Sequence, residues 1–129
     1  MKNLLMVGLL ALCTAAGACP IKKGYWLNGL VKQRPNLMAP VCGALFTTLK
    51  GQVKPGPGQW VEAYILPKTN ASAATLAVLG LALKEKGYTQ VLNRRAGDDL
   101  LQGFTKGSKQ IVFSIHQSEI GVGLTVIGK

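Results

Sequence analysis

The sequence contains few of the residues from which most active sites and metal sites are built. Its 129 residues include five acidic residues, one histidine and three cysteines. A carboxylate-based hydrolase has few candidate acids, and the cysteines and the histidine lack the spacing that holds zinc. His116 has Ser114 and Ser118 nearby but no recognisable acid and nucleophile motif, and Asp98-Asp99 is typical of a turn. We therefore expect a non-enzymatic protein without metal or other cofactor.

Long apolar runs are also scarce, and the main one lies at the N terminus. Lys2 precedes an uncharged stretch from position 3 to 18 that ends in Ala16-Gly17-Ala18. This order of charge, apolar stretch and small residues is typical of a secretory signal peptide. The apolar part is shorter than the ~20 residues that a membrane-spanning helix needs. We predict a signal peptide at 1–18 and an exported mature chain; the alternative is a buried N-terminal helix.

Cys19 directly follows the small residues, and two fates are open to it. Ala16-Gly17-Ala18-Cys19 resembles a bacterial lipobox, and this resemblance implies that Cys19 becomes N-terminal and lipidated, anchoring the protein to a membrane surface. The same spacing suits ordinary cleavage before Cys19, which would leave Cys19 and Cys42 as an even pair in an oxidising compartment. Such a pair predicts a disulfide that stabilises the fold by ~3 kcal/mol. We favour the lipid anchor and keep the disulfide as the alternative.

Negative charge is the other scarce property. Without Lys2 the chain still has fourteen basic residues against five acidic ones. Such an excess suits acidic partners, among them anionic lipid, cell-wall polymer and nucleic acid, although solubility alone could explain it. The candidate polyanion contacts are Lys22, Lys23, Arg94, Arg95, Lys106 and Lys109.

The arrangement of these basic residues argues against one nucleic-acid groove. Lys22 and Lys23 would lie near the membrane and assist an anchor. The Arg94-Arg95 pair and the pair formed by Lys106 and Lys109 border successive turns, which lie at opposite ends of a meander. Aromatic residues for base stacking are also few. Nucleic-acid binding is therefore the weaker hypothesis.

The mature chain divides at a proline- and glycine-rich stretch. Lys54-Pro55-Gly56-Pro57-Gly58 predicts a loop or linker between an N-terminal segment, 19–58, and a domain, 59–129. Within the N-terminal segment, the apolar positions 41–49 fit either a strand or a short helix.

The domain after the linker has clear secondary-structure signals. Trp60–Leu66 predicts a strand, and N-cap residues at 69–72 begin the only long helix, which ends near Lys86. Four further strands are predicted at 88–93, 100–104, 109–116 and 119–127. The order strand-helix-strand-strand-strand-strand indicates an α+β fold, a single antiparallel β-meander sheet with one main helix packed on one face.

Two short stretches carry a second resemblance. Lys86-Gly87-Tyr88, followed by Gly103-Phe104-x-Lys106-Gly107, resembles uncharacterised small bacterial exported domains with a helix before a β-meander. The resemblance covers residues 63–129 at most. It contains no catalytic motif and implies no activity.

The predicted helix has two apolar faces. One contains Leu76, Leu79, Gly80 and Leu83; the other contains Ala74, Ala77, Val78 and Leu81. A helix at the surface should be polar on its outer face. We expect the N-terminal segment from Trp26 to Phe46 to cover the second face. The alternative is a protein partner or a homo-oligomer that contacts Val78 and Leu81.

These features predict a small exported, lipid-anchored, non-enzymatic basic domain that binds a protein or envelope component. The alternative is an exported module for nucleic acid or another polyanion. A third hypothesis, a small hydrolase that uses His116, has the least support.

Overall fold

The computed structural model describes residues 19, 21 and 24–129. The predicted signal peptide at 1–18 and the candidate contacts Lys22 and Lys23 lie outside the described residues. The described elements, in chain order, are β1 (Ala39–Pro40), α1 (Gly43–Val53), β2 (Trp60–Leu66), α2 (Asn70–Glu85), β3 (Thr89–Ala96), β4 (Asp99–Lys106), β5 (Lys109–Gln117) and β6 (Val122–Gly128). No helix among them is long and apolar enough to cross a membrane.

All strands belong to one antiparallel sheet with the order β1-β2-β6-β5-β4-β3. The last four strands form a meander, and β2 pairs with β6 along its whole length, from Trp60↔Gly128 to Leu66↔Val122. The predicted α+β class and the strand-helix-strand order are confirmed. The structure adds a second helix, α1, in the region where apolar periodicity left strand and helix open.

Local sequence explains where α2 begins and how closely it approaches the sheet. The Thr69 hydroxyl accepts a hydrogen bond from the Ser72 backbone N–H at 3.2 Å, which satisfies a free donor of the first turn. A Cβ at Gly80 would lie 3.1 Å from Phe104 Cζ. A glycine within a helix costs stability relative to alanine, and here it permits close contact with an aromatic side chain.

The N-terminal segment packs into the same core as the strands that follow it. Trp26 is 2% exposed, and its indole stacks on Phe113 with ring centroids 5.9 Å apart. Leu27 and Met38 belong to the same buried cluster as Leu79 of α2. The predicted linker, 54–58, connects α1 to β2. The segments before and after it contribute side chains to one hydrophobic core.

On the opposite face of the sheet, the cover that the described residues provide lies near β2. Phe46 of α1 packs with Val61, Ala63 and the partly buried Ile127. The Val41 N–H donates to the Ala63 carbonyl at 2.8 Å and holds the start of this segment against β2. Helix α1 therefore covers the part of this face that β2 and the end of β6 form.

The outer face of α2 is not covered as expected. Val78 is 49% exposed and Leu81 is 52% exposed, while Ala74 and Ala77 are also exposed. The prediction that the segment from Trp26 to Phe46 covers this face is wrong. Trp26, Leu27, Met38 and Phe46 of this segment are buried away from that face, and its Leu30 and Val31 border α2 near Ala82 and Glu85.

Candidate anion-binding site

The two ends of the sheet differ in charge. The strand register brings the start of β2, the β4–β5 turn and the end of β6 to one end, which we name the basic end. It contains Lys86, Lys106, Lys109 and Lys129. The β3–β4 and β5–β6 turns lie at the other end, the mixed-charge end, where Asp98, Asp99 and Glu119 are accompanied by Arg94 and Arg95 of β3. Residues far apart in sequence thus meet in one basic region.

The β4–β5 hairpin places two of these lysines directly opposite each other. Gly107 has φ +61° in the two-residue turn, and Lys106 and Lys109 are cross-strand partners. Like charges opposite each other destabilise a sheet. Lys106 Nζ donates to the Lys86 carbonyl at 2.7 Å and lies 5.9 Å from the centroid of the Tyr88 ring. Lys106 is therefore directed towards the end of α2, where a cation is favourable.

A groove of about 420 Å³ opens at the basic end. The residues that line it include Trp60, Tyr88, Lys109 and Lys129. The Trp60 indole lies over Gly128 and occupies the space that a Cβ on this glycine would need. The Lys129 N–H donates to the Gln110 carbonyl at 2.9 Å, which fixes the chain beside Lys109. The lining thus combines two aromatic residues with two lysines.

One wall of the groove is the loop between Trp26 and Val31, which form an isolated antiparallel bridge. Leu27 and Asn28 both have φ +55°, and their consecutive N–H groups bind one buried carboxylate, Glu62. The Leu27 N–H donates to Glu62 Oε1 at 2.8 Å, and the Asn28 N–H donates to Oε2 at 2.6 Å. Consecutive amides that converge in this way form a concave anion site. Glu62 is 6% exposed and fixes the loop that borders the groove.

Tyr64 completes this buried network. Its hydroxyl donates to Glu62 Oε1 at 2.7 Å. Burial, together with this hydrogen bond and the negative charge of Glu62, raises the pKa of Tyr64 far above its ordinary value. Arg34 Cζ lies 5.9 Å from the centroid of the Tyr64 ring, and the positive charge of Arg34 lowers the pKa of Tyr64. The sequence analysis missed Glu62, although a single acid within the apolar strand Trp60–Leu66 was a usable signal.

The candidate residues named from sequence fall into separate places. Arg94 and Arg95 lie on β3 towards the mixed-charge end, whereas Lys106 and Lys109 lie at the basic end. Lys129, Trp60 and Tyr88, which sequence reasoning did not connect with binding, line the groove with Lys109. No local motif could have linked them, because the sheet register alone brings them together.

Cys19 and Cys42 are joined by a disulfide, with Cα atoms 4.6 Å apart. The bond ties the start of the described chain to the residue that precedes α1. A thioether-linked lipid would need the same Cys19 sulfur. The two predicted fates of Cys19 therefore exclude each other, and the structure contains the arrangement required for the disulfide.

His116 and Asp99 are direct cross-strand partners on β5 and β4. His116 Nδ1 lies 2.5 Å from Asp99 Oδ1, and both side chains are 65% exposed. Ser118 donates its hydroxyl to the Gly121 carbonyl, and within the described part of the chain no hydroxyl or thiol bonds to His116. The pair is an acid and a base in contact with water, without a positioned nucleophile.

Within residues 19, 21 and 24–129, no group of three or more metal-ligating side chains is brought together. Comparison with protein-family models, curated proteins and solved structures finds no match.

Proposed function

We propose that this protein is a small exported, non-enzymatic domain that binds an acidic polysaccharide of the cell envelope at the groove of the basic end. The observation that carries the proposal is the position of Trp60 and Tyr88 beside Lys109 and Lys129 in one groove of about 420 Å³. This arrangement offers flat apolar surfaces and positive charge to the same ligand.

The chemistry of the groove fits an acidic sugar. The apolar face of a sugar ring packs on an aromatic ring, while its carboxylate or sulfate interacts with an ammonium group. A bound anion would also offset the repulsion between Lys106 and Lys109, which are cross-strand partners. The Glu62 network supports the site by holding the loop at Leu27 and Asn28 in place before a ligand arrives.

Nucleic acid is the alternative polyanion. The two arginines on β3 lie towards the opposite end of the sheet from the groove, so they do not extend one continuous basic track. The groove also has two aromatic rings only, which suits a short saccharide better than a run of stacked bases.

The binding experiment compares charge at the groove with the same charge elsewhere. We expect a Lys109→Ala and Lys129→Ala double variant to elute from immobilised heparin at clearly lower salt than the unmodified protein. A Lys50→Ala and Lys68→Ala double variant loses the same charge from exposed positions outside the groove and should elute close to the unmodified protein. If both double variants elute at equally reduced salt, net charge alone explains the retention and the groove is not the binding site. Stronger retention on DNA than on heparin would favour nucleic acid as the ligand.

Export and the state of Cys19 form the second part of the proposal. Export is supported by the signal-like residues 1–18 and by the disulfide between Cys19 and Cys42. Intact mass spectrometry of protein purified from its own cells tests both. A chain that begins at Cys19 and lacks two hydrogens has the disulfide, whereas an added diacylglycerol mass would show the lipid anchor. A chain that retains residues 1–18 would contradict export by cleavage.

A further inference from the structure

The two edges of the sheet are built differently. One edge is β1, which has two residues, and one of them is Pro40. Short edge strands and prolines prevent pairing with another strand. The other edge is β3, which has eight residues, seven of them exposed. Within the described residues, β3 is therefore the edge that could accept a further strand.

The register shows which backbone groups of β3 point outwards. Gly97 has φ +60° in the two-residue turn that joins Ala96 to its partner Asp99. Such a turn is closed by a hydrogen-bonded pair, and the pairs then alternate along an antiparallel ladder. The N–H and C=O groups of Asn93 and Arg95 therefore point away from β4. A register shift between Gln90 and Leu92 ends the regular stretch, so that the usable edge runs from 92 to 96.

Charge on this edge favours an acidic partner. Arg94 and Arg95 are both exposed and, as neighbours in a strand, point to opposite faces of the sheet. The one ion pair among the described residues joins His116 and Asp99, so neither arginine is paired there. A second copy of this chain would bring another strongly positive surface, because the net charge is +10.

A small groove beside β3 adds an apolar component. It has a volume of about 210 Å³ and lies between α2 and the strands. Leu76, Ala77 and Leu100 belong to the apolar part of its lining, and Arg95 and Asp98 are the charged part. Gln102 also lines it, and the buried Oε1 of this side chain has no hydrogen-bond partner among the described residues. A strand added to β3 would direct alternate side chains towards this groove.

We propose that the free edge of β3 binds an extended acidic segment of another protein, which adds to the sheet as a seventh strand. Backbone groups of Asn93 and Arg95 supply the hydrogen bonds, Arg94 attracts acidic side chains on one face, and the groove near Leu76 accepts apolar side chains on the other. This mode of recognition is strand addition at a sheet edge. It is independent of the saccharide proposal, since it uses the opposite side of the molecule.

The test uses a synthetic, terminally blocked ten-residue peptide of alternating valine and glutamate. We expect its addition to the ¹⁵N-labelled protein to shift the amide signals of residues 92–96 and to slow hydrogen exchange at Asn93 and Arg95. A peptide of the same sequence with N-methyl groups on alternate amides keeps its charge but cannot complete the ladder. It should bind at least about tenfold more weakly. Equal binding of both peptides, or shifts confined to Lys109 and Lys129, would overturn the proposal.

A pair of charge variants completes the test. Arg94→Glu should weaken binding of the unmethylated peptide by roughly tenfold, since attraction becomes repulsion. Lys68→Glu makes the same change of charge away from β3 and should leave the affinity unchanged. An equal loss of peptide affinity in both variants would show that net charge alone causes binding, and would contradict a site at β3. A concentration-dependent dimer that Arg94→Glu abolishes would assign the edge to a second copy and contradict the acidic partner.

Discussion

Strands β2 and β3 are similar in length, yet their surroundings are opposite. β2 lies between β1 and β6, with the N-terminal loop on one face and α1 on the other, and most of its residues are buried. β3 forms the edge, and its side chains are almost all exposed. The charged residues of the two strands differ in burial in the same way. Glu62 of β2 is buried and needs three hydrogen bonds, whereas Arg94 and Arg95 of β3 remain in water.

The comparison shows how a buried charge can be retained in a small domain. A buried carboxylate without partners would cost several kcal/mol. At Glu62 that cost is offset by two backbone N–H groups from the loop that closes over β2 and by the hydroxyl of Tyr64 on β2 itself. The stability of the region around β2 therefore depends on a few specific contacts, whereas substitutions on the exposed strand β3 should change stability little.

The largest expected effect comes from breaking the buried network. Glu62→Gln leaves one acceptor oxygen where two oxygens accepted three hydrogen bonds. We expect a loss of about 3–5 kcal/mol in the free energy of unfolding, measured by urea denaturation. Glu85→Gln makes the same substitution at an exposed position and should change stability by less than about 0.5 kcal/mol. A small effect at Glu62 would contradict its role in fixing the loop.

The second effect concerns the covalent attachment of the N-terminal segment. Cys42→Ser opens the disulfide between positions 19 and 42. We expect a loss of about 3 kcal/mol, because the unfolded chain gains freedom. Reduction of the unmodified protein should lower stability by a similar amount and should not affect the variant. Equal stability of oxidised and reduced protein would contradict a stabilising disulfide.

The third effect appears as a dependence on pH. Because the pKa of Tyr64 is raised by burial, its stabilising contribution is complete below the ordinary tyrosine pKa of about 10 and is lost as pH rises above it. We expect Tyr64→Phe to cost about 1–2 kcal/mol near neutral pH and to weaken the loss of stability above pH ~10. Tyr88→Phe removes a hydroxyl that makes no hydrogen bond among the described residues and should cost less stability near neutral pH than Tyr64→Phe. Identical profiles for the unmodified protein and Tyr64→Phe would contradict this assignment.

The smallest effect is expected on the exposed face of α2. Leu81→Glu should change stability by less than about 0.5 kcal/mol, since Leu81 is half exposed. Leu83 lies on the buried face of the same helix. Leu83→Glu should prevent stable folding, because it buries an unpaired charge. If Leu81→Glu also converts an oligomer into a monomer in solution, the predicted contact through Val78 and Leu81 gains support. A large loss of stability in a monomer would show that this face is covered.

Sequence reasoning was strongest where local signals agreed. The alternation of Ile120, Val122, Leu124 and Val126 predicted a strand at 119–127, and the N-cap residues at 69–72 predicted the start of a helix. The structure has β6 at Val122–Gly128, with Ile120 exposed before it, and Thr69 as the N-cap of α2. It was weakest in the N-terminal segment, where apolar residues without a clear period fitted both strand and helix. It also assigned Asp99 to a turn, because the pairing with His116 depends on a register that no single strand specifies.

The sequence by itself determined the succession of strand, helix and four strands after residue 59 and the strong positive charge, because periodicity, capping residues and composition are properties of short stretches. Only the tertiary structure decided that Trp60, Tyr88, Lys109 and Lys129 share a groove, that Glu62 is buried under the loop at Leu27 and Asn28, and that the outer face of α2 remains exposed. Each of these facts depends on which strands are neighbours and in what register. Neighbours and register are selected by the total burial and hydrogen bonding of the whole sheet, which no segment contains alone.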